Sequence, residues 1–117
     1  METKNAVRDK SFEFAINVIE FCELLESQKK YIIARQLLKS GTSIGANVRE
    51  AQSCESKADF VHKLKISSKE AEETEYWLLL CKYSKNYPFS NELLSLLNEI
   101  QKLLSSIISK TKQTLSQ

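Results

Sequence analysis

The sequence predicts an all-α protein, an antiparallel up-down four-helix bundle. Three observations predict it. The 117 residues hold only one proline and two glycines, too few for the many turns of a β domain. Four stretches carry apolar residues three and four apart, the helical period. The connections between them are short, which folds each helix back beside the one before it. A chain of this length makes one domain, residues 1–117, with helices over about 11–27, 30–53, 56–85 and 90–113.

The first stretch is "SFEFAINVIEFCELLES". Phe14, Ala15, Val18, Cys22 and Leu25 recur on one face, and Asp9 or Ser11 is placed to cap its start. "SQKK" reads as a break. The second stretch contains both glycines, Gly41 and Gly45, inside "SGTSIGANVREAQ". Ile33, Leu37, Ile44, Val48 and Ala51 fall within roughly 60° of arc if the helix runs through them. A loop beginning at Gly41 would have no reason to keep that phase. Each interior glycine costs about 1 kcal/mol relative to alanine. Close approach by a neighbouring helix offsets such a cost, and Gly41-x-x-x-Gly45 offers the groove. A phosphate-binding loop would need a Gly-Lys-Ser/Thr ending and a preceding strand, and has neither here.

In the third stretch, Phe60, Leu64, Ser67, Ala71, Thr74, Leu78 and Cys81 alternate four and three apart. That is a heptad-like seam with two small polar members. Ser56 or Glu55 marks its start, and "KNYPFS" ends it at Asn86 and Pro88. In the fourth, Ser90 is a good N-cap, with Glu92 in the first turn. Leu93, Leu97, Ile100, Leu104 and Ile107 form its inner stripe, widened by Leu94, Leu96, Leu103 and Ile108.

The net charge of +2 does not by itself mark a nucleic-acid protein. Cys22, Cys54 and Cys81 form no Cys-x-x-Cys pair, so free buried thiols in a reducing, cytoplasmic setting are expected. The polar start "METKNAVRDKSF" has no signal-peptide apolar region, and no apolar run is long enough to span a membrane.

"RQLLKSGTSIGANVREAQ" followed by "KADFVHKLKISSKEAEETEYWLLL" resembles the bacterial four-helix bundle family named after 23S rRNA intervening sequences. The accessory variability (Avd) proteins of diversity-generating retroelements look like relatives of it. Arg35, Gln36, Leu37, Ser43, Ile44, Ala46, Asn47, Glu50, Phe60, Leu64, Glu70, Glu73, Thr74, Trp77 and Leu78 carry the resemblance. It implies an up-down bundle, often assembled as a homopentameric ring. In the retroelement branch it implies a basic oligomer that binds nucleic acid and a reverse transcriptase. This chain departs from that branch in being almost neutral.

Catalytic chemistry finds little support. His62 is the one histidine, no nucleophile is patterned beside it, and it points away from the seam. Asp59-x-x-His62 is a faint echo of the Glu-x-x-His of di-metal bundles, which need two such motifs and two more carboxylates. Glu70 and Glu73 share a side of their helix but read as a solvated or ion-paired face. No enzyme activity, metal or cofactor is expected.

Gln36, Ser43, Asn47 and Glu50 form a polar stripe flanking the core face of the second helix. Asn47 and Glu50 either bond to a neighbouring helix or subunit and fix register, the preferred reading, or line a ligand groove. Arg35, Lys39 and Arg49 lie outward on about 80° of arc, a basic strip with Thr42 and Ala46 between them. A ring would repeat the strip and favour salt-sensitive RNA or DNA binding; the alternative is a solvated face paired with nearby glutamates. No aromatic residue interleaves it along the sequence. Ile66, Trp77 and Leu80 lie away from the third seam and are the expected subunit contacts, with Trp77 the anchor. The expected function is therefore a non-enzymatic homo-oligomeric scaffold that contacts RNA, DNA or a nucleic-acid enzyme such as a reverse transcriptase. The alternative is a protein-protein adaptor without nucleic-acid binding, and the third possibility an acid/base or metal enzyme using Glu50, Glu70 or Glu73.

Overall fold

The computed structural model describes residues 5–115. Among the described residues the chain forms four helices and no strand: α1 (Ala6–Ser27), α2 (Tyr31–Ala51), α3 (Lys57–Tyr83) and α4 (Asn91–Leu115). α1 and α3 each pack against both α2 and α4, a four-cornered bundle extending 52 × 26 × 20 Å. Phe14, Val18, Leu25, Leu37, Ile44, Leu64, Leu78, Leu97, Ile100 and Leu104 fill its centre.

α2 runs unbroken through both glycines. Their reason lies in α1. A Cβ placed on Gly41 would stand 2.9 Å from Cγ1 of Val18. One on Gly45 would stand 3.2 Å from the Ser11 carbonyl oxygen. The small-residue groove expected of Gly41-x-x-x-Gly45 thus seats α1. On its other side α2 is tied to α3 by buried hydroxyls. Ser67 donates to the Ile44 carbonyl at 2.9 Å. Thr74 gives its one proton to the Glu70 carbonyl at 2.7 Å, so the Ser40 hydroxyl, 2.9 Å away, donates to Thr74. Further along, Lys63 of α3 bonds Glu50 of α2 at 2.6 Å.

The chain turns by local hydrogen bonding. After α1, Lys29 adopts φ 63°, and the amides of Lys29 and Lys30 bond the carbonyls of Glu26 and Leu25 at 2.9 Å each. This is a Schellman C-cap with lysine where glycine is usual. The Ser56 hydroxyl accepts from the Asp59 amide at 3.0 Å and opens α3. Ser90 accepts from the Leu93 amide at 3.1 Å and opens α4. Asn86, at φ 65°, turns the chain before Pro88.

Several expectations need correction. α1 begins at Ala6, not near residue 11, with Val7 already buried and Asn5 making no side-chain cap. Neither Asp9 nor Ser11 caps it. Ser11 is wholly buried under α2 and donates to the Arg8 carbonyl at 3.1 Å. α2 spans 31–51 rather than 30–53, α3 ends at Tyr83 rather than 85, and α4 continues to Leu115. At the start of α3 Val61 is buried as well, while the seam residue Phe60 is half-buried and packs against the core. In α2, Ala34 is buried and Ile33 packs at the core's edge. In α1, Phe21 is buried and Ala15 only partly so. A helix with neighbours on two sides buries more than one stripe, and a single stripe misplaces its edges.

Candidate nucleic-acid interface

α2 presents Arg35, Lys39 and Arg49 to solvent. The core face of the helix points to the glycine and hydroxyl contacts, which leaves these three on the outer side. Among the described residues, none of the three makes an ion pair. The alternative in which nearby glutamates pair with the strip therefore has no contact behind it. Thr42, between them, donates to the Leu38 carbonyl at 2.7 Å, so its proton serves the helix. Ala46 is exposed and bare.

The structure adds two residues that the second helix alone could not show. Arg49 sits over the Phe12 ring of α1, 6.0 Å from its centroid, and Phe12 is 57% exposed. Arg8, one turn earlier on α1, shares a recess of about 130 Å³ with Phe12, Gly45, Ala46 and Arg49. An aromatic side chain therefore does stand within the basic strip, supplied from a different helix. The missing signal was the register between α1 and α2, set by Ser11 against Gly45.

The polar stripe divides. Gln36 is exposed. Asn47 donates to the Ser43 carbonyl at 2.9 Å and to its hydroxyl at 3.1 Å, so its amide serves its own helix. Glu50 reaches α3 through Lys63, and that hydrogen bond, with the carboxylate's charge, raises the Lys63 ammonium above its ordinary pKa. Ile66, Trp77 and Leu80 are half-buried, not an exposed patch. Trp77 packs on the core of its own chain, meets Tyr76 edge-on at 5.3 Å and donates its indole N–H to Glu73 at 3.1 Å. A long ring leans over whatever lies beside its helix, which its angle on the wheel does not convey.

His62 and Asp59 are exposed, Glu70 is half-buried, and Glu73 is held by Trp77. Among the described residues, no three histidine, cysteine or carboxylate side chains cluster as metal ligands. The cysteines are free. Cys22 and Cys81 are buried, and desolvation pushes their thiols up to about 12 and about 11. Cys22 is raised further by the negative charge of Glu26 and by Cys81. No described helix is long and apolar enough to cross a membrane.

Fold and surface together define a small helical bundle whose distinctive feature is a cationic outer face. The family model described as 23S rRNA-intervening sequence protein matches residues 3–107, and the chain belongs to that family. Three chains of solved structures match it. One is the crystal structure of a protein of unknown function from the S23 ribosomal protein family of Bacteroides thetaiotaomicron. It is 48% identical, with a TM-score of 0.77, over 87% of this chain and 97% of that one. No curated protein matches the chain.

Proposed function

We propose that the protein is a non-enzymatic scaffold, an antiparallel up-down bundle that self-associates and contacts RNA or DNA through Arg35, Lys39 and Arg49. The observation that carries this reading is the exposure of three cations on one helix face without an acidic partner. Phosphate contacts need such free side chains, and their affinity grows with the number presented together. The pairings of Ile44 with Ser67 and Ser40 with Thr74 support the antiparallel arrangement. The family resemblance, which implies a ring often of five members, supports self-association, with a reverse transcriptase or similar enzyme as a further partner. In that ring Ile66, Trp77 and Leu80 remain candidate contacts through the parts that stay exposed.

Titration with structured RNA and DNA tests the reading. Binding should weaken steeply with salt and be lost in an Arg35→Gln/Lys39→Gln/Arg49→Gln variant of unchanged helicity. No retention at low salt, with a protein partner co-purifying, would favour the adaptor reading instead. Exposed Tyr76, Leu79 and Tyr83 on α3 are the apolar side chains such an adaptor would use.

A further inference from the structure

We infer that the recess between α1 and α2 at Gly45 holds unpaired nucleotides of a single strand, with a base stacked on Phe12 and flanking phosphates on Arg8 and Arg49. The inference rests on the nucleic-acid reading above and names the form of nucleic acid recognised.

The recess follows from packing. Gly45 lets the Ser11 backbone approach to a distance that a side chain would obstruct. Beside that contact, Ala15 and Ala46 are short. Their lack of bulk leaves the opening of about 130 Å³, and longer side chains stand around it. Arg8 and Phe12 are four residues apart on α1 and so project side by side. Arg49 enters from α2 and already lies over the ring.

The donors at this recess are selective in kind. Ser11 gives its proton to the Arg8 carbonyl and Thr42 to the Leu38 carbonyl. The N–H groups that no hydrogen bond commits are those of the two guanidiniums. Arg8 meets Asp9 only loosely, at 3.9 Å, which leaves most of its five donors free. The site therefore offers two positive charges and one π-face, with no hydroxyl donor for a base edge. Stacking with backbone neutralisation is how sequence-tolerant single-strand platforms work. A duplex keeps its bases stacked on one another and cannot lend one to Phe12. From Arg49 the strip continues past Lys39 to Arg35, about 21 Å along the helix at 1.5 Å per residue, a track for the rest of the strand. A second copy of the chain is the rival occupant, since Ile16 and Ile19 are also exposed on α1. Two guanidiniums at the opening favour the anionic strand, because docking an apolar face there would desolvate both.

Fluorescence anisotropy of the full chain with a short labelled oligouridine and a matched RNA duplex, both at low salt, tests this. Phe12→Ala should weaken single-strand binding roughly 5- to 100-fold and change duplex binding by less than about twofold. Phe12→Leu, which keeps the apolar bulk, should lose affinity likewise, and Phe12→Tyr should retain it. Arg8→Gln/Arg49→Gln should weaken both and lower the single-strand salt slope by about 1.4. Equal losses for strand and duplex in Phe12→Leu, or none, while the native chain binds, would overturn the inference and leave the broader reading standing. A drop in native mass of the Phe12 variants without nucleic acid would overturn it in favour of a copy-copy contact. Failure of the native chain to bind either probe would sink both readings together.

Discussion

Gly41 faces the side chain of Val18 so closely that a methyl group has no room between them. An added Cβ would meet Cγ1 at 2.9 Å and Cγ2 at 3.0 Å, and Val18 is fully buried with a stiff, β-branched side chain. Gly41→Ala gains about 1 kcal/mol of helix propensity. Overpacking costs typically about 1–3 kcal/mol, so a net loss of up to about 2 kcal/mol is expected in urea unfolding. In the Gly41→Ala/Val18→Ala double variant the losses should sum to less than their parts by about 1 kcal/mol. A stabilised Gly41→Ala protein contradicts the packing argument.

Thr74 and Ser40 close the α2–α3 interface with buried hydroxyls. Thr74→Val keeps the shape and removes the acceptor that Ser40 uses. The expected cost is about 1–2 kcal/mol, partly recovered when Ser40→Ala removes the orphaned partner. An additive double variant would mean that the two do not act together.

Lys29 pays for a left-handed conformation that glycine adopts freely. Lys29→Gly should raise stability by up to about 1 kcal/mol without altering the fold, read from the urea midpoint. A loss would show that the Lys29 side chain contributes more than its backbone strain costs.

The buried thiols couple stability to alkaline pH. Folding raises Cys22 and Cys81 from 9.0 to about 12 and about 11. Between those values the unfolded chain releases protons that the folded chain keeps, so stability falls as pH rises above about 9. Cys22→Ala should flatten this decline in urea titrations. In the native chain Cys54 should react first with a thiol reagent, because Cys22 and Cys81 are buried. Equal rates for all three thiols contradict the burial.

Much of this was legible along the chain. The phase of Leu37, Ile44 and Val48 across the glycines required a continuous α2, and Ser56 and Ser90 announced the starts of α3 and α4. Ser67 and Thr74 stood out as small polar members of a seam, and both are buried. The start of α1 was not legible, because Val7 is the sole large apolar residue of its first turn. The basic strip could be read from α2, since periodicity orders the faces of one helix. Its aromatic member could not, since Phe12 meets Arg49 only through the register of α1 on α2. Trp77 was placed by its angle alone, which left out its lean onto the core and its bond to Glu73.

The central claim is an assembled bundle that carries nucleic acid on its cationic face. Native mass of the purified full chain, with and without nuclease, tests it most directly. The account predicts a multimer that holds nucleic acid before treatment and keeps its multiplicity, free of nucleic acid, afterwards. A single chain's mass in both samples, with no nucleic acid in either, would contradict it.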